Sequence, residues 1–325
     1  MTDSKEIAEQ VIKGRRLKNV SECAWMKDAE TEELISGADA IRDKLCGKRV
    51  DLCAIINGRS GKCTENCRFC AQSAHNHTGI DEYEFLSPDK IVEDCKKYEK
   101  HGVDRYSIVT AGRTLEGRDL DYAVDAYKRM HEECPDIMLC ASHGLLSEEA
   151  FNRIYAAGVK TYHCNIETSR AFFPKICSTH TFDDKIREIK MAEKAGFNIC
   201  CGGIIGMGES WDDRIDMALT IAELGVASIP INTLIPIKGT PLENTEKLSK
   251  EDILRTVAIF RYINPTAHIR IAAGRSIFGD GGKQLFRAGA NATLTGDMLT
   301  TTGNNTDEDR QMLKSMGFEI KQEEN

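Results

Sequence analysis

From residue 50 onward the chain repeats one pattern: a short apolar run, a turn, then a longer stretch with apolar residues at helical spacing. The runs at 50–56, 103–110, 137–141, 158–166, 197–205, 227–234, 268–272 and 290–295 read as strands. Between them, helices are expected to open at Ser87-Pro88 and at Ser147 and to cover about 119–133, 182–195, 212–224, 250–263 and 281–287. A last helix beyond Asp307 completes eight pairings. Strands alternating with helices of this length require a parallel sheet. Eight such units fit a (β/α)8 TIM-type barrel of the α/β class, with an open doubly wound sheet as the alternative from pattern alone. Residues 1–46 read as a helical cap ahead of the barrel, with Ile7, Ala8, Val11 and Ile12 on one stripe. Residues 47–325 show no linker, which predicts one domain overall.

The loop after the first strand carries Cys63, Cys67 and Cys70 in the spacing C-x3-C-x2-C. Such a loop can aim three sulfurs at one point, and a cubane cluster has four irons, so one iron is left open to a ligand. A structural zinc site recruiting His75 or His77, or a redox disulfide, are the competing readings. In a barrel, catalytic loops follow the C-terminal ends of strands, which is where this loop falls.

Thirteen cysteines bear on the compartment. The N-terminal residues show no basic stretch leading into an apolar one, and no apolar run is long enough to span a bilayer. A cytoplasmic protein is therefore expected, in which thiols ligate metal or pack as small hydrophobes rather than pair. The net charge of −8 argues against a nucleic-acid partner.

The cysteine loop, with the aromatic Phe69 before its last thiol, resembles that of the radical S-adenosylmethionine superfamily. The resemblance implies a 4Fe–4S cluster on Cys63, Cys67 and Cys70 whose fourth iron chelates S-adenosylmethionine. Electron transfer to the sulfonium then releases a 5′-deoxyadenosyl radical, chemistry that belongs to the cofactor. The stretch from Gly202 to Glu209 resembles the superfamily's G-x-I-x-G-x-x-E support for the adenine, which assigns Gly202, Ile204 and Gly206 to the cofactor. Glycines there let backbone approach a flat ring.

Further stretches from about residue 50 to 303 resemble the biotin synthase family in particular. Asn165 and Glu167 stand in the family's N-L-D-T-S motif, which holds the cofactor's ribose. Being two apart, they share a face of a strand. Lys185 stands where the family has an arginine for the cofactor's carboxylate, retaining charge without the bidentate fork. Asn232 in I-P-I-N matches the asparagine that contacts dethiobiotin's ureido ring, a donor and acceptor pair for an amide. His163 is expected to face the substrate, and Thr301 and Thr302 match the pair near its carboxylate.

The family draws sulfur from a second cluster in the barrel, usually 2Fe–2S on three cysteines and one arginine. Cys140, Cys200 and Arg270 match three of these ligands. The fourth falls at Ser107, a poor iron ligand, while Cys53 appears on strand one where the family has a small hydroxyl residue. This predicts an auxiliary cluster on Cys53, Cys140, Cys200 and Arg270, either 2Fe–2S or a larger cubane type. Cys164 and Cys201 are expected to face the helices. Cys23, Cys46, Cys95, Cys134 and Cys177 read as bystanders, with Cys177 the least settled because its loop lies on the active face.

The resemblance implies a homodimer that converts dethiobiotin to biotin and takes electrons from a flavodoxin or ferredoxin. The alternatives are a mutase or maturase of the same superfamily acting on an amino acid, or a non-catalytic iron–sulfur protein.

Overall fold

In the computed structural model, which describes residues 3–297, 299 and 303–322, the alternation closes into a barrel. The strands are β1 (Asp51–Arg59), β2 (Arg105–Thr110), β3 (Met138–Ser142), β4 (Thr161–His163), β5 (Asn198–Cys200), β6 (Gly203–Ile205), β7 (Ser228–Thr233), β8 (His268–Ile271) and β9 (Ala292–Leu294). All pairings are parallel, and the order runs β5-β4-β3-β2-β1-β9-β8-β7-β6 with β5 also paired to β7. Because β5 and β6 are two halves of one stave, the barrel has eight staves. That excludes the open doubly wound sheet.

The break in the fifth stave departs from the continuous strand expected over 197–205. At Cys201 and Gly202 the chain leaves the ladder, and the Asn165 side chain accepts a hydrogen bond from the Gly202 N–H at 2.9 Å. Here the neighbouring stave comes unusually close: a Cβ on Gly202 would lie 1.9 Å from the Pro230 carbonyl oxygen. Backbone cannot yield as a flexible side chain can. Gly202→Ala is therefore expected to cost at least ~3 kcal/mol, the upper range for overpacking, read as a lowered urea midpoint.

Helices α4 (Pro88–Lys100), α5 (Gly117–Glu133), α6 (Glu148–Ala156), α7 (Phe182–Lys194), α8 (Trp211–Glu223), α9 (Lys250–Ile263) and α10 (Lys283–Arg287) follow the strands, and α11 (Thr306–Ser315) follows β9. Their starts are set by side chains: Ser87, Ser147, Thr181, Ser210 and Ser249 each accept from a backbone N–H of the first turn. The N-terminal helices, among them α1 (Ser4–Ile12), α2 (Val20–Cys23) and α3 (Thr31–Cys46), pack against α8 and α9. Ile7, Ala8 and Val11 are buried, as their stripe predicts. None of the described residues of 1–46 lines the cavity inside the barrel. Among the described residues, no helix is long and apolar enough to cross a membrane.

Candidate functional site

The barrel encloses a cavity of about 390 Å³, lined in part by Phe69, Cys70, Ala71 and Gln72 of the cysteine loop. Its floor is electrostatic. Asp51 and Arg105 open β1 and β2, and Arg270 reaches across from β8. The Arg105 Nε donates to both Asp51 carboxylate oxygens at 3.0 and 2.9 Å, while Arg270 donates to the same carboxylate. Burial alone would raise the Asp51 carboxyl, but the two guanidinium groups outweigh it and hold its pKa at about 2. One carboxylate between two arginines leaves a net positive charge on the floor.

Above that floor the walls carry thiols. Cys53, Cys140 and Cys200 all line the cavity, with Arg105 and Arg270 facing them. Burial raises the Cys53 and Cys140 thiols, the latter to about 11. Cys200 behaves differently: burial is outweighed by His163, Arg270 and a Ser228 hydroxyl 3.4 Å away, which bring it down to about 7. Ser107 also faces the cavity, and its buried hydroxyl has no hydrogen-bond partner. Three soft donors, a cationic floor and an orphaned hydroxyl suit an anionic iron–sulfur group. Strand register places Cys53 opposite Arg105, whereas Ser107 lies opposite Ile55 and Cys140. Cys53 is thus two residues deeper than Ser107, a drop of about 6.6 Å along the strand.

The upper part of the cavity gathers Phe69, Cys70, His163, Asn165, Glu167, Ile204 and Asn232. Strand β4 ends at His163, so Asn165 and Glu167 lie beyond it rather than within a strand reaching 166. They still line the same cavity because Glu167 bridges to Gly203 and adopts a left-handed backbone, with φ of 67°. A non-glycine residue there carries about 1 kcal/mol or more of strain. Lys185 on α7 is half-buried, and its charge acts on Glu167 and Cys67, so it is not a solvated surface lysine. Asn232 already bonds backbone, donating to the Gly203 carbonyl at 3.2 Å and accepting from the Ala273 N–H at 3.3 Å. One N–H and one lone pair remain for a ligand.

In the glycine stretch, Ile204 lines the cavity and Gly202 and Gly206 do not. Gly202 is required by the approach of β7, and Glu209 accepts from the Gly206 and Met207 N–H groups at 2.8 and 2.7 Å. Those constraints are internal to the fold. Thr301 and Thr302 lie outside the described residues.

The cysteine loop is held by its own polar residues. Asn76 donates to the carbonyls of Cys67 and Cys70 at 3.3 and 2.8 Å, and the Ser73 hydroxyl donates to that of Glu65 at 2.6 Å. The sulfurs of Cys63, Cys67 and Cys70 do not form a group within 4.8 Å, nor do His75 or His77 join them. Their three sulfurs are thus not gathered as the ligands of one zinc ion are.

One group was not anticipated. Cys177 and His180, on the loop after β4, stand beside Cys67, and the three ligand atoms lie within 4.8 Å of one another. Cys177 therefore sits against the cysteine loop, and the C-x2-H spacing was the available signal. Cys164 and Cys201 are buried in the core away from the cavity, as expected.

The radical SAM superfamily model matches residues 59–221, and that of the Biotin and Thiamin Synthesis associated domain matches 230–319. The biotin synthase of Alkaliphilus metalliredigens (strain QYMF) is 62% identical over 318 residues, covering 98% of this chain and all of that protein. The chain belongs to the biotin synthase family. A second relative, the biotin synthase of Clostridium beijerinckii, is 61% identical over 97% of this chain and 99% of its own length. That of Brachyspira hyodysenteriae is 50% identical over 98% and 95%. Among solved structures, methylornithine synthase superposes with a TM-score of 0.83 at 21% identity, covering 98% of both chains. An FeFe-hydrogenase maturase from Carboxydothermus hydrogenoformans gives 0.79 at 19% identity, over 97% of this chain and 79% of its own. Those two likenesses concern the fold alone.

Proposed function

We propose that this chain is a biotin synthase, which inserts sulfur into dethiobiotin from an auxiliary iron–sulfur cluster in the barrel. Near-complete coverage by biotin synthases supports this reading, and the observation that carries it is the cavity itself. Its thiols and arginines lie beneath a chamber bounded by the cysteine loop. A mutase or maturase needs no second thiol set there.

Cys63, Cys67 and Cys70 would hold a 4Fe–4S cluster, and Cys53, Cys140, Cys200 and Arg270 the auxiliary one. When bound, these groups and S-adenosylmethionine supply radical generation and the sulfur atom. The protein's residues orient and shield. Phe69, Ile204, Asn165, Glu167 and Lys185 bound the cofactor's place, with backbone at Gly202 and Gly206 behind it. Lys185 answers a carboxylate, and the Glu167 carboxylate can accept from hydroxyls. His163, Asn232, Thr301 and Thr302 are assigned to dethiobiotin. The depth of Cys53 relative to Ser107 spreads the donors and supports a cubane-type auxiliary cluster over a flat 2Fe–2S one.

A homodimer and a flavodoxin or ferredoxin donor complete the proposal. The test is anaerobic reconstitution with iron and sulfide, followed by S-adenosylmethionine and a chemical reductant. Dethiobiotin should bind and accelerate 5′-deoxyadenosine formation; if it does neither, the assignment is wrong.

Glu167 gives a sharper check. Glu167→Gly relieves the left-handed strain and should leave the protein no less stable in urea. S-adenosylmethionine affinity should nonetheless fall roughly 10- to 100-fold, the effect of losing a charged hydrogen bond of about 1.5–3 kcal/mol. A coupled loss of stability would mark the residue as structural.

A further inference from the structure

The group of Cys67, Cys177 and His180 lies outside the ligand sets assigned above, except that it shares Cys67. Its geometry is specific. The Cys67 and Cys177 sulfurs are 3.8 Å apart, and Cys177 Sγ is 3.3 Å from His180 Nδ1. Two thiolates on one tetrahedral ion, with metal–sulfur bonds of about 2.3 Å, stand about 3.8 Å apart, and a sulfur and an imidazole nitrogen on that ion about 3.5 Å. Two sulfurs on separate irons of a cubane must stand farther apart. The spacing is therefore that of ligands sharing a single ion.

The surroundings are not those of a thiol packed as a small hydrophobe. Cys177 Sγ lies 3.4 Å from Asn66 Oδ1 and 3.5 Å from Thr179 Oγ1. Asn66 Oδ1 accepts from the N–H groups of Ser178 and Thr179 at 3.0 and 3.2 Å, which ties this loop to the cysteine loop. Glu65 completes the enclosure: its carboxylate bonds His180 Nδ1, the Thr179 hydroxyl at 2.6 Å and the Arg113 guanidinium at 2.9 Å. Cys177, His180 and Glu65 are all buried. Glu65 and Cys177 meet the same nitrogen of His180, so an ion seated between the two thiols takes Nδ1 in place of the Glu65 hydrogen bond and leaves the carboxylate beside it as a counter-charge.

We propose that the cluster-free protein binds one divalent transition-metal ion through Cys67, Cys177 and His180, in a mononuclear site that excludes the cubane. Cys67 cannot ligate both. Binding converts two thiols to thiolates and releases their protons to solvent. An ion held here blocks loading of the radical-generating cluster, so the site is a checkpoint on assembly, open to zinc as well as iron. It requires neither S-adenosylmethionine nor dethiobiotin, so its failure and that of the biotin synthase assignment are separable.

The experiment uses full-length protein, stripped of iron under anaerobic conditions and titrated with Co2+. The expected result is a thiolate-to-cobalt charge-transfer band that persists in the Cys63→Ala/Cys70→Ala double variant. It should be lost in Cys177→Ala and in His180→Ala, read as the difference from wild type so that the barrel thiols cancel. Protein preloaded with Zn2+ should take up less iron and sulfide on reconstitution by one cubane per chain, and Cys177→Ala should be resistant to that zinc effect. Cys177→Ser and His180→Gln, checked by circular dichroism, replace any alanine variant that misfolds. A band that survives both Cys177 and His180 replacement, or one that vanishes in the Cys63→Ala/Cys70→Ala variant, overturns the proposal.

Discussion

Cys53→Ala should reduce biotin formation to below about 1% of wild type, since losing a ligand costs more than the 10- to 100-fold typical of an outer-shell partner. Dethiobiotin-stimulated 5′-deoxyadenosine formation should continue. The separation follows from position: Cys53 lines the cavity near its arginine floor, whereas Cys63, Cys67 and Cys70 sit on the loop at the other end of β1. Iron counts and Mössbauer spectra on the same samples report the cause. Wild type should show iron in excess of one 4Fe–4S cluster, and Cys53→Ala should lose that excess. The double variant Cys53→Ala/Ser107→Cys returns a thiol two residues higher, opposite Cys140. It should recover iron in a different spectroscopic form, because the donor set is again three thiols but with changed spacing. A single 4Fe–4S signature in wild type, with Cys53→Ala fully active, would refute the auxiliary ligand set.

Asp51→Asn should destabilise the cluster-free protein by about 3–5 kcal/mol, the range for breaking a buried ion pair from one side. The carboxylate lies between Arg105 and Arg270, so its neutralisation leaves two guanidinium groups facing one another in the barrel. The same interaction sets a pH dependence. The folded-state pKa of Asp51, about 2, lies below the ordinary carboxyl value. Its contribution is thus complete above roughly pH 4 and is lost as pH falls through 2, amounting to about 2 kcal/mol. Urea unfolding of wild type between pH 5 and 2 should show this slope, and Asp51→Asn should flatten it. Equal slopes in the two proteins would show that the arginines do not depress the carboxyl.

Much of this architecture was legible in the chain because it rests on local rules. The apolar runs and the serines that open helices are read over a few residues, and helix α9 falls on its expected bounds, Lys250–Ile263. Closure was not legible there, since the pattern also fits an open doubly wound sheet; the pairing of β5 with β7 decided it. The strand ends were less legible: β4 stops at His163, and the fifth stave breaks at Cys201 and Gly202, because side-chain and backbone contacts from neighbouring staves decide where the ladder ends. No local pattern carries that information.

The site divides in the same way. By itself the sequence determined the cysteine loop and the candidate thiols of the barrel wall, since spacing and strand periodicity fix which side chains can face inward; it read Asn165 and Glu167 on the fourth strand, whereas they follow it. Tertiary structure alone decided that Asp51 lies between two arginines, that Glu167 reaches the cavity through a left-handed turn, and that Cys53 lies deeper than Ser107. It alone brought Cys177 and His180 to Cys67, across 110 residues of chain. The physical reason is that facing and spacing are properties of one segment, whereas shared charge, depth and ligand geometry arise only where segments distant in sequence meet.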